Sequence, residues 1–123
     1  MRSGSEPLRP RRGWVYLADL GEARGTEPGK VRPVLVLQTD LLNRVHESTV
    51  VFPLTTNVRP EMRLTRVHFR RGEAGLRADS DALIDQPRAL DNRRLRRALG
   101  ASPPARLAEV ERAAALLLDL TDA

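Results

Sequence analysis

The sequence contains no cysteine, very few aromatic residues and no long apolar run. Without cysteine, the chain forms no disulfide, no thiolate metal site and no cysteine nucleophile. With one Trp, one Tyr and two Phe, the core has to be built from aliphatic side chains. No apolar run approaches the roughly 18 residues of a membrane-spanning helix, and no charged-then-apolar signal segment opens the chain. These absences predict a cytoplasmic protein that does not bind a membrane.

Lysine is almost absent as well, because 20 of the 21 basic residues are arginine. The net charge is +5 and the sequence pI is near 11.1. A planar guanidinium pairs two-pronged with phosphate, so this charge favours a polyanion such as a nucleic acid, and it also suits an acidic protein partner. A GC-rich genome produces the same arginine excess. The charge therefore supports a nucleic-acid partner without establishing one.

A length of 123 residues predicts one domain with a single core. Residues 1–12 contain Ser, Gly, Pro and four Arg with little to bury, and they are predicted to form a flexible tail before a domain of residues 13–123. Short apolar segments then predict strands over residues 14–20, 31–38, 48–54, 64–69, 82–85 and 88–90. Because Pro53 has no backbone donor, the third strand is expected to be an edge there or to end in a bulge.

The C-terminal part of the chain has helical patterns. Asp91 is predicted to cap a short helical stretch through residues 95–99. Ser102 followed by Pro103 predicts the start of a second helix, with a side-chain cap and then a proline where no backbone donor is needed. Apolar residues recur at helical spacing from there to Leu120, namely Leu107, Val110, Ala114, Leu117 and Leu118. Strands followed by a helix predict an α+β fold, a small antiparallel β-barrel or strongly bent sheet with one helix packed on it.

Arg32 stands where a predicted turn becomes an apolar strand. The residue before a proline favours extended backbone, so Arg32 should begin that strand. The turn before it, residues 25–29, is rich in Gly and Pro and carries Glu27. A loop with a carboxylate and a guanidinium above a rigid strand suits a phosphate-handling site. The simpler interpretation is an arginine that ends a strand in solvent.

Two further polar segments adjoin predicted strands. Residues 55–57, Thr-Thr-Asn, offer two hydroxyls and an amide that can donate to phosphate oxygens or base edges, although ordinary turn chemistry explains the same residues. Residues 79–88 contain three carboxylates, a Ser, a Gln and an Arg. Within them, Asp85 and Gln86 at a strand end are suited to read the polar edge of an unstacked base.

The two histidines, His46 and His68, invite comparison with ribonucleases that use one histidine as base and another as acid. Nothing else in the sequence supports that pairing, and their spacing is not that of a zinc site. Asp79 and Asp81 are better suited to capping a turn than to binding a divalent cation. We therefore predict no metal and no cofactor. The absence of a Gly-rich phosphate loop and of Gly-x-Ser-x-Gly disfavours nucleotide-driven and acyl-transfer enzymes.

Taken together, these segments resemble the MazF/PemK family of toxin endoribonucleases, the toxic halves of bacterial type II toxin–antitoxin pairs. The resemblance runs from about Arg12 almost to the C-terminus. It rests on five blocks in the order of the family: GWVYLADL (13–20), GTEPGKVRPVLV (25–36), PLTTN (53–57), DSDALIDQ (79–86) and RALD (88–91). One block would be weak evidence, whereas the ordered set is specific.

The resemblance implies an SH3-like barrel with a C-terminal helix that forms a homodimer. It implies metal-independent cleavage of single-stranded mRNA at a short sequence. Attack by the 2′-hydroxyl would leave a 2′,3′-cyclic phosphate and a 5′-hydroxyl, and the cleavage would inhibit translation and growth. It also implies an acidic, MazE-like antitoxin as a protein partner.

The resemblance further implies which residues form the site. Catalysis falls to Arg32, the loop Arg before Pro, and to Thr55 after the third strand. Glu27 occupies a loop position linked to the site and is a candidate for removing the 2′-proton. RNA binding is implied for seven residues in the same blocks: Lys30, Thr56, Asn57, Ser80, Asp85, Gln86 and Arg88. Pro87 departs from the family, which has an aliphatic residue there, so the far wall of the groove is expected to differ.

Two alternatives stay open at this stage. The same fold is used by DNA gyrase poisons of the CcdB type, in which C-terminal helix residues act and the Arg32/Thr55 pairing would be idle. A non-catalytic barrel that only binds nucleic acid is the other. The scarcity of aromatic residues weakens this second alternative, because single-strand binders stack bases on aromatic rings.

Overall fold

The computed structural model describes residues 8–22, 25–26 and 30–120, which form a bent seven-stranded antiparallel sheet with one C-terminal helix. The strands are β1 (Trp14–Asp19), β2 (Val31–Val36), β3 (Ser48–Thr55), β4 (Arg66–Phe69), β5 (Ser80–Leu83), β6 (Arg88–Asp91) and β7 (Leu95–Ala101). The helices are α1 (Asp40–Asn43) and α2 (Pro104–Leu117), with 3₁₀ turns at Glu73–Gly75 and Asn92–Arg94. The order across the sheet is β4-β5-β3-β2-β1-β7, and β6 pairs with β3. The predicted α+β fold of antiparallel strands with a C-terminal helix is confirmed.

Strand β3 is shared by two parts of the sheet. One side pairs with β2, while the other pairs first with β6 and then, at Leu54 and Thr55, with β5. In the β2–β3 ladder Leu37 N donates to Val50 O (3.1 Å), and backbone groups alternate in direction along a strand, so the nitrogen of Pro53 faces away from β2. Strand β3 lies inside the sheet, but at Pro53 it has a partner on one side only, because β6 pairs as far as Val51 and β5 begins at Leu54. The prediction of an edge or a bulge at Pro53 therefore agrees with the pairing at this one position. The missing donor of Pro53 falls where the partner strand changes from β6 to β5.

Two apolar clusters occupy the two faces of the central strands. Because side chains alternate along a strand, Leu35 enters one cluster while its neighbours Val34 and Val36 enter the other. The first cluster also contains buried residues of α2, which packs on this face, and includes Phe52, Leu54, Phe69, Ile84, Val110 and Ala114. The second includes Tyr16, Ala18, Val51, Leu90 and Leu95. Most of the core is aliphatic, as the composition predicts.

The prediction of a helix over residues 95–99 is wrong, because these residues belong to β7. The side chain of Asp91 does act as a cap, accepting from Arg93 N (2.9 Å), but it begins only the 3₁₀ turn Asn92–Arg94. After that turn the chain pairs with β1, from Ala18↔Leu95 to Trp14↔Ala101. Pairing with a distant strand overrides the local helical pattern.

The start and end of α2 also differ from the prediction. The helix begins at Pro104 after Pro103, which makes no side-chain cap bond, and the buried hydroxyl of Ser102 has no hydrogen-bond partner among the described residues. Val110 and Ala114 are buried as predicted, whereas Leu117 and Leu118 are 42% and 57% exposed. The apolar spacing therefore predicts the packed face correctly only as far as Ala114.

Two other segments differ from expectation. Helix α1 was not predicted; Thr39 begins it, accepting through Oγ1 from Leu41 N (3.3 Å). Residues 8–12, part of the predicted tail, instead lie against the domain. Arg12 N donates to Asp40 Oδ1 (2.8 Å) and its guanidinium pairs with Glu111 (2.9 Å). Residues 1–7 lie outside the described part of the chain.

No helix within the described ranges is long and apolar enough to span a membrane.

Candidate functional site

Arg32 and Thr55 come together through the pairing of β2 with β3. Arg32 is the second residue of β2 and is half-buried, and Thr55 is the last residue of β3. The β2–β3 register includes Val36↔Val51 and Val34↔Pro53, and continued by two residues it places Arg32 opposite Thr55. In this register the position is a non-hydrogen-bonded one, where opposing side chains are closest. The strand ends that carry the guanidinium and the hydroxyl therefore adjoin in the sheet, and their role in catalysis stays a prediction.

The turn after β3 orients the Thr55 hydroxyl. Thr55 Oγ1 accepts from Asn57 N (3.1 Å), and Val58 N donates to Thr56 O (3.0 Å). A hydroxyl oxygen that accepts one hydrogen bond still has its own hydrogen to donate. Thr55 can therefore offer that hydrogen to a phosphate oxygen while the backbone of Asn57 holds its oxygen in place. The side chains of Thr56 and Asn57 are exposed.

A buried carboxylate lies beside Thr55 in the sheet. Asp81 of β5 pairs with Thr55 on one side and with His68 of β4 on the other, and it is 3% exposed. Its Oδ2 accepts from Arg59 N (2.9 Å) and Arg66 Nη1 (3.2 Å), and its Oδ1 lies 3.0 Å from His68 Nδ1. Burial opposes ionisation, but the hydrogen bonds from Arg59, His68 and Arg66 outweigh it and hold the pKa of Asp81 below its ordinary value.

The turn between β5 and β6 approaches the loop between β1 and β2. Gln86 Nε2 donates to Thr26 Oγ1 (3.4 Å), which brings the predicted base-reading segment to the loop that leads into Arg32. Lys30 ends this loop in the left-handed backbone region (φ 66°), and its side chain is exposed. Glu27, the predicted third catalytic residue, lies outside the described residues.

The remaining predicted RNA contacts divide by exposure. Asp85 is exposed. Arg88, the first residue of β6, is half-buried and pairs with Val51 of β3, so both side chains are accessible from solvent. Ser80 is only 3% exposed, and its hydroxyl donates to Ala78 O (3.0 Å). Ser80 therefore lies beneath the surface, and its hydroxyl is engaged by its own loop.

A pocket of about 480 Å³ opens beside this region on the opposite face of β2. Its lining combines apolar residues with two arginines and includes Leu17, Pro33, Thr56, Ser80, Arg77 and Arg97. Pro33 and Thr56 directly follow Arg32 and Thr55 in the chain. The two faces of the sheet at this end therefore both present polar or cationic groups to solvent.

The structure does not join the two histidines. His46 precedes β3, and its Nδ1 lies 3.1 Å from Ser48 O at the start of that strand. His68 contacts Asp79 (3.4 Å) and Asp81 near Thr55, at the opposite end. Strand β3 spans about 23 Å at 3.3 Å per residue. This separation excludes a two-histidine mechanism within one chain.

Asp79 and Asp81 are not arranged as a cation site. Asp79 accepts from Arg71 N (2.8 Å), and Asp81 is engaged by the donors described above. Within the described ranges, no group of three or more His, Cys, Asp or Glu side chains is placed to hold a metal ion.

Sequence reasoning missed the Asp81 network. It assigned Asp79 and Asp81 together to a turn, whereas Asp81 is the second residue of β5. The available signal was that Asp81 directly precedes the apolar run Ala82-Leu83-Ile84, which places it inside a buried strand. Its partners Arg59 and Arg66 are distant in sequence and give no local signal.

Comparison with known proteins gives a consistent result. A family model described as PemK-like, MazF-like toxin of type II toxin–antitoxin systems matches residues 11–118. The chain is 35% identical over 112 residues to endoribonuclease MazF of Staphylococcus epidermidis, which covers 91% of this chain and 93% of that protein.

Solved structures give the same fold. MazF of Deinococcus radiodurans matches with a TM-score of 0.76 and 27% identity, over 91% of this chain and 98% of that one. An endoribonuclease from a mycobacterial species, solved in complex with its cognate antitoxin, matches with a TM-score of 0.72 and 26% identity, over 94% of this chain and 98% of that one.

Proposed function

The chain belongs to the family of PemK-like, MazF-like toxins of type II toxin–antitoxin systems, and from this premise we propose that it is a metal-independent endoribonuclease that cleaves single-stranded mRNA. The observation that supports the proposal is the pairing of β2 with β3, in which Val34 lies opposite Pro53, two residues along each strand from Arg32 and Thr55. The identity to an endoribonuclease over most of both chains supports the same activity. This identity favours a ribonuclease over a gyrase poison or a non-catalytic nucleic-acid binder.

The chemistry of RNA self-cleavage requires charge stabilisation at one phosphate. When the 2′-hydroxyl attacks the adjacent phosphorus, the bond to the 5′-oxygen breaks, and an extra negative charge develops on the phosphorane oxygens. The guanidinium of Arg32 and the hydroxyl of Thr55 donate hydrogen bonds to these oxygens. The products are a 2′,3′-cyclic phosphate and a 5′-hydroxyl.

Proton transfer requires further groups. A guanidinium keeps its proton and makes a poor base, so Arg32 is assigned to charge stabilisation and to donating a hydrogen bond to the leaving 5′-oxygen, which takes its proton from solvent water. The carboxylate of Glu27, five residues before Arg32 on the same loop, is the candidate that removes the 2′-proton.

RNA binding is assigned to exposed and half-buried groups around this pair. Lys30 and Arg88 supply positive charge for phosphates, and Thr56 and Asn57 supply hydrogen bonds. Asp85 and Gln86 offer donors and acceptors to a splayed base. Because Ser80 is buried, we assign it to supporting the 78–80 loop.

The proposed partners follow from charge and from the relatives. A net charge of +5 suits an acidic antitoxin that covers the RNA path, and a structural relative was solved with its cognate antitoxin. We further propose a homodimer acting in the cytoplasm on mRNA, so that cleavage inhibits translation. Light scattering at micromolar concentration tests the dimer, and a monomer would contradict it.

The decisive experiment incubates purified protein with a long RNA in excess EDTA. We expect cleavage to persist, with 5′ fragments ending in a 2′,3′-cyclic phosphate and 3′ fragments beginning with a 5′-hydroxyl. Arg32→Ala serves as the inactive control that excludes a contaminating nuclease. Complete loss of cleavage on chelation would contradict the metal-independent mechanism.

A further inference from the structure

The buried carboxylate of Asp81 reaches the segment that follows β3 by two routes. Its Oδ2 accepts directly from Arg59 N (2.9 Å), and the same oxygen accepts from Arg66 Nη1 (3.2 Å). Arg66 Nη1 in turn donates to Asn57 O (2.7 Å). The carboxylate is thus tied to both ends of the three-residue segment 57–59, two residues beyond Thr55.

This network also borders Thr55 itself. Thr55 pairs with Asp81 in the β3–β5 ladder, and Asn57 N donates to Thr55 Oγ1 (3.1 Å). Any shift of Asn57 therefore moves the donor that holds the Thr55 oxygen. The direction of the hydroxyl depends on a backbone position that Arg66 and Asp81 fix.

Stability alone does not account for a charge at this position. Burying an ion pair costs desolvation energy, and apolar residues of similar volume stabilise such sites equally well or better. Leu83, two residues after Asp81 and on the same face of β5, is buried and apolar, so an apolar side chain would suit that face. What an apolar side chain would lack is an acceptor for Arg59 N and a counter-charge for Arg66.

We propose that Asp81 is a positioning residue for RNA cleavage, which acts through Arg66 and Arg59 to fix the segment that orients Thr55 and Asn57. The inference rests on the proposed ribonuclease function. Asp81 does not touch the RNA. Its contribution is to keep a hydrogen-bond donor aimed at the reacting phosphate, and small misplacements of such groups cost about 10²-fold in rate.

The test compares two partners of the same carboxylate. Arg66 and His68 both lie on β4 and both contact Asp81. Arg66 also donates to Asn57 O, whereas His68 makes no hydrogen bond to residues 57–59 within the described part of the chain. Arg66→Met removes the bond to Asn57 O, and His68→Gln is the matched control that disturbs Asp81 without touching that segment. Both variants leave Asp81 in place, but Arg66→Met deprives the buried carboxylate of its counter-charge. Thermal unfolding of each variant is therefore measured beside kcat, to separate a loss of fold from a loss of rate.

We expect Arg66→Met to lower kcat by roughly tenfold to 10²-fold with KM changed less than about threefold. His68→Gln should keep kcat within about threefold of wild type, and Arg66→Lys, which retains a charged donor, should recover part of the loss. Amide hydrogen exchange provides a readout without RNA. Exchange at Asn57 and Arg59 should accelerate in Arg66→Met and not in His68→Gln.

Equal losses of kcat in Arg66→Met and His68→Gln would overturn the proposal, because they would indicate a general structural role. Unchanged exchange at Asn57 in Arg66→Met would overturn it as well. A wild-type protein that cuts no RNA would refute the ribonuclease function itself, and the exchange measurements would then report separately on whether the network holds residues 57–59.

Discussion

Replacement of Thr55 by valine separates the chemical role of its hydroxyl from its structural role. Valine has the same branched shape and suits the end of β3, but it carries no hydroxyl. The change removes the acceptor of Asn57 N and the proposed donor to the phosphate. Thr55→Ser is the matched control, because it retains the hydroxyl and loses only a methyl group.

The two losses differ in expected size. The bond from Asn57 N is on an exposed turn where water can replace it, so its loss should cost about 1 kcal/mol, or roughly 4 °C in Tm. Loss of a donor at the developing charge should cost about 10²–10³-fold in kcat, equivalent to about 2.7–4 kcal/mol in the transition state alone. The kinetic effect should therefore exceed the effect on folding.

A fluorogenic RNA containing the cleaved sequence gives kcat and KM for both variants, and thermal unfolding gives their stability. We expect Thr55→Val to be folded and at least 10²-fold slower, with Thr55→Ser between it and wild type. Wild-type turnover by Thr55→Val would refute the proposed role of the hydroxyl. A lower rate for Thr55→Ser than for Thr55→Val would show that the methyl group, and hence packing, matters more than the hydroxyl.

Three further predictions concern charge, backbone and pH. Arg32→Ala should lose about 10²-fold or more in cleavage rate, while RNA binding, measured by fluorescence anisotropy, is weakened less. Arg32→Lys should recover part of the rate, because it keeps the charge without the two-pronged geometry. Wild-type cleavage by the alanine variant would show that the arginine is structural. Gly75 has a φ of 73°, and a side-chain Cβ at this position would overlap Leu99 O, so Gly75→Ala should destabilise the fold by about 3 kcal/mol or more. Urea denaturation measures this loss. Gly72 has a φ of 91° but open space around it, so Gly72→Ala is the control for backbone strain alone. The pKa of Asp81 in the folded state lies below its ordinary value of 3.8, so its stabilisation is fully present above about pH 4 and is lost as the pH falls through the lower folded pKa. Below pH 4 the unfolding free energy of Asp81→Asn should therefore fall less steeply than that of wild type. Parallel profiles of the two proteins would contradict this.

Local patterns predicted the strands that carry the proposed site. The apolar run after Arg32 and the run before Thr55 each form a strand in the structure. The site residues lie at the ends of these strands, so their approximate position follows once the strands pair. The register that brings the start of β2 beside the end of β3 depends on tertiary pairing and could not be obtained from local patterns.

The errors arose where a distant partner decides the structure. Residues 95–99 have a pattern compatible with a helix, but β1 offers them a free edge and they pair with it. Asp81 was assigned to a turn because its three donors come from other segments.

The pairing of β1 with β7 has a consequence for synthesis of the protein. Trp14 pairs with Ala101 and Ala18 pairs with Leu95. Strand β1, which is translated first, therefore cannot complete its pairing until β7 has been translated. Until β7 has emerged from the ribosome, β1 is paired on one side only. Because β1 is the neighbour of β2, which carries Arg32, the sheet ends in an open edge beside that strand. The sheet next to the strand that carries Arg32 is therefore completed only after the chain as far as Ala101 has been made, which is a long-range pairing of the kind that forms slowly.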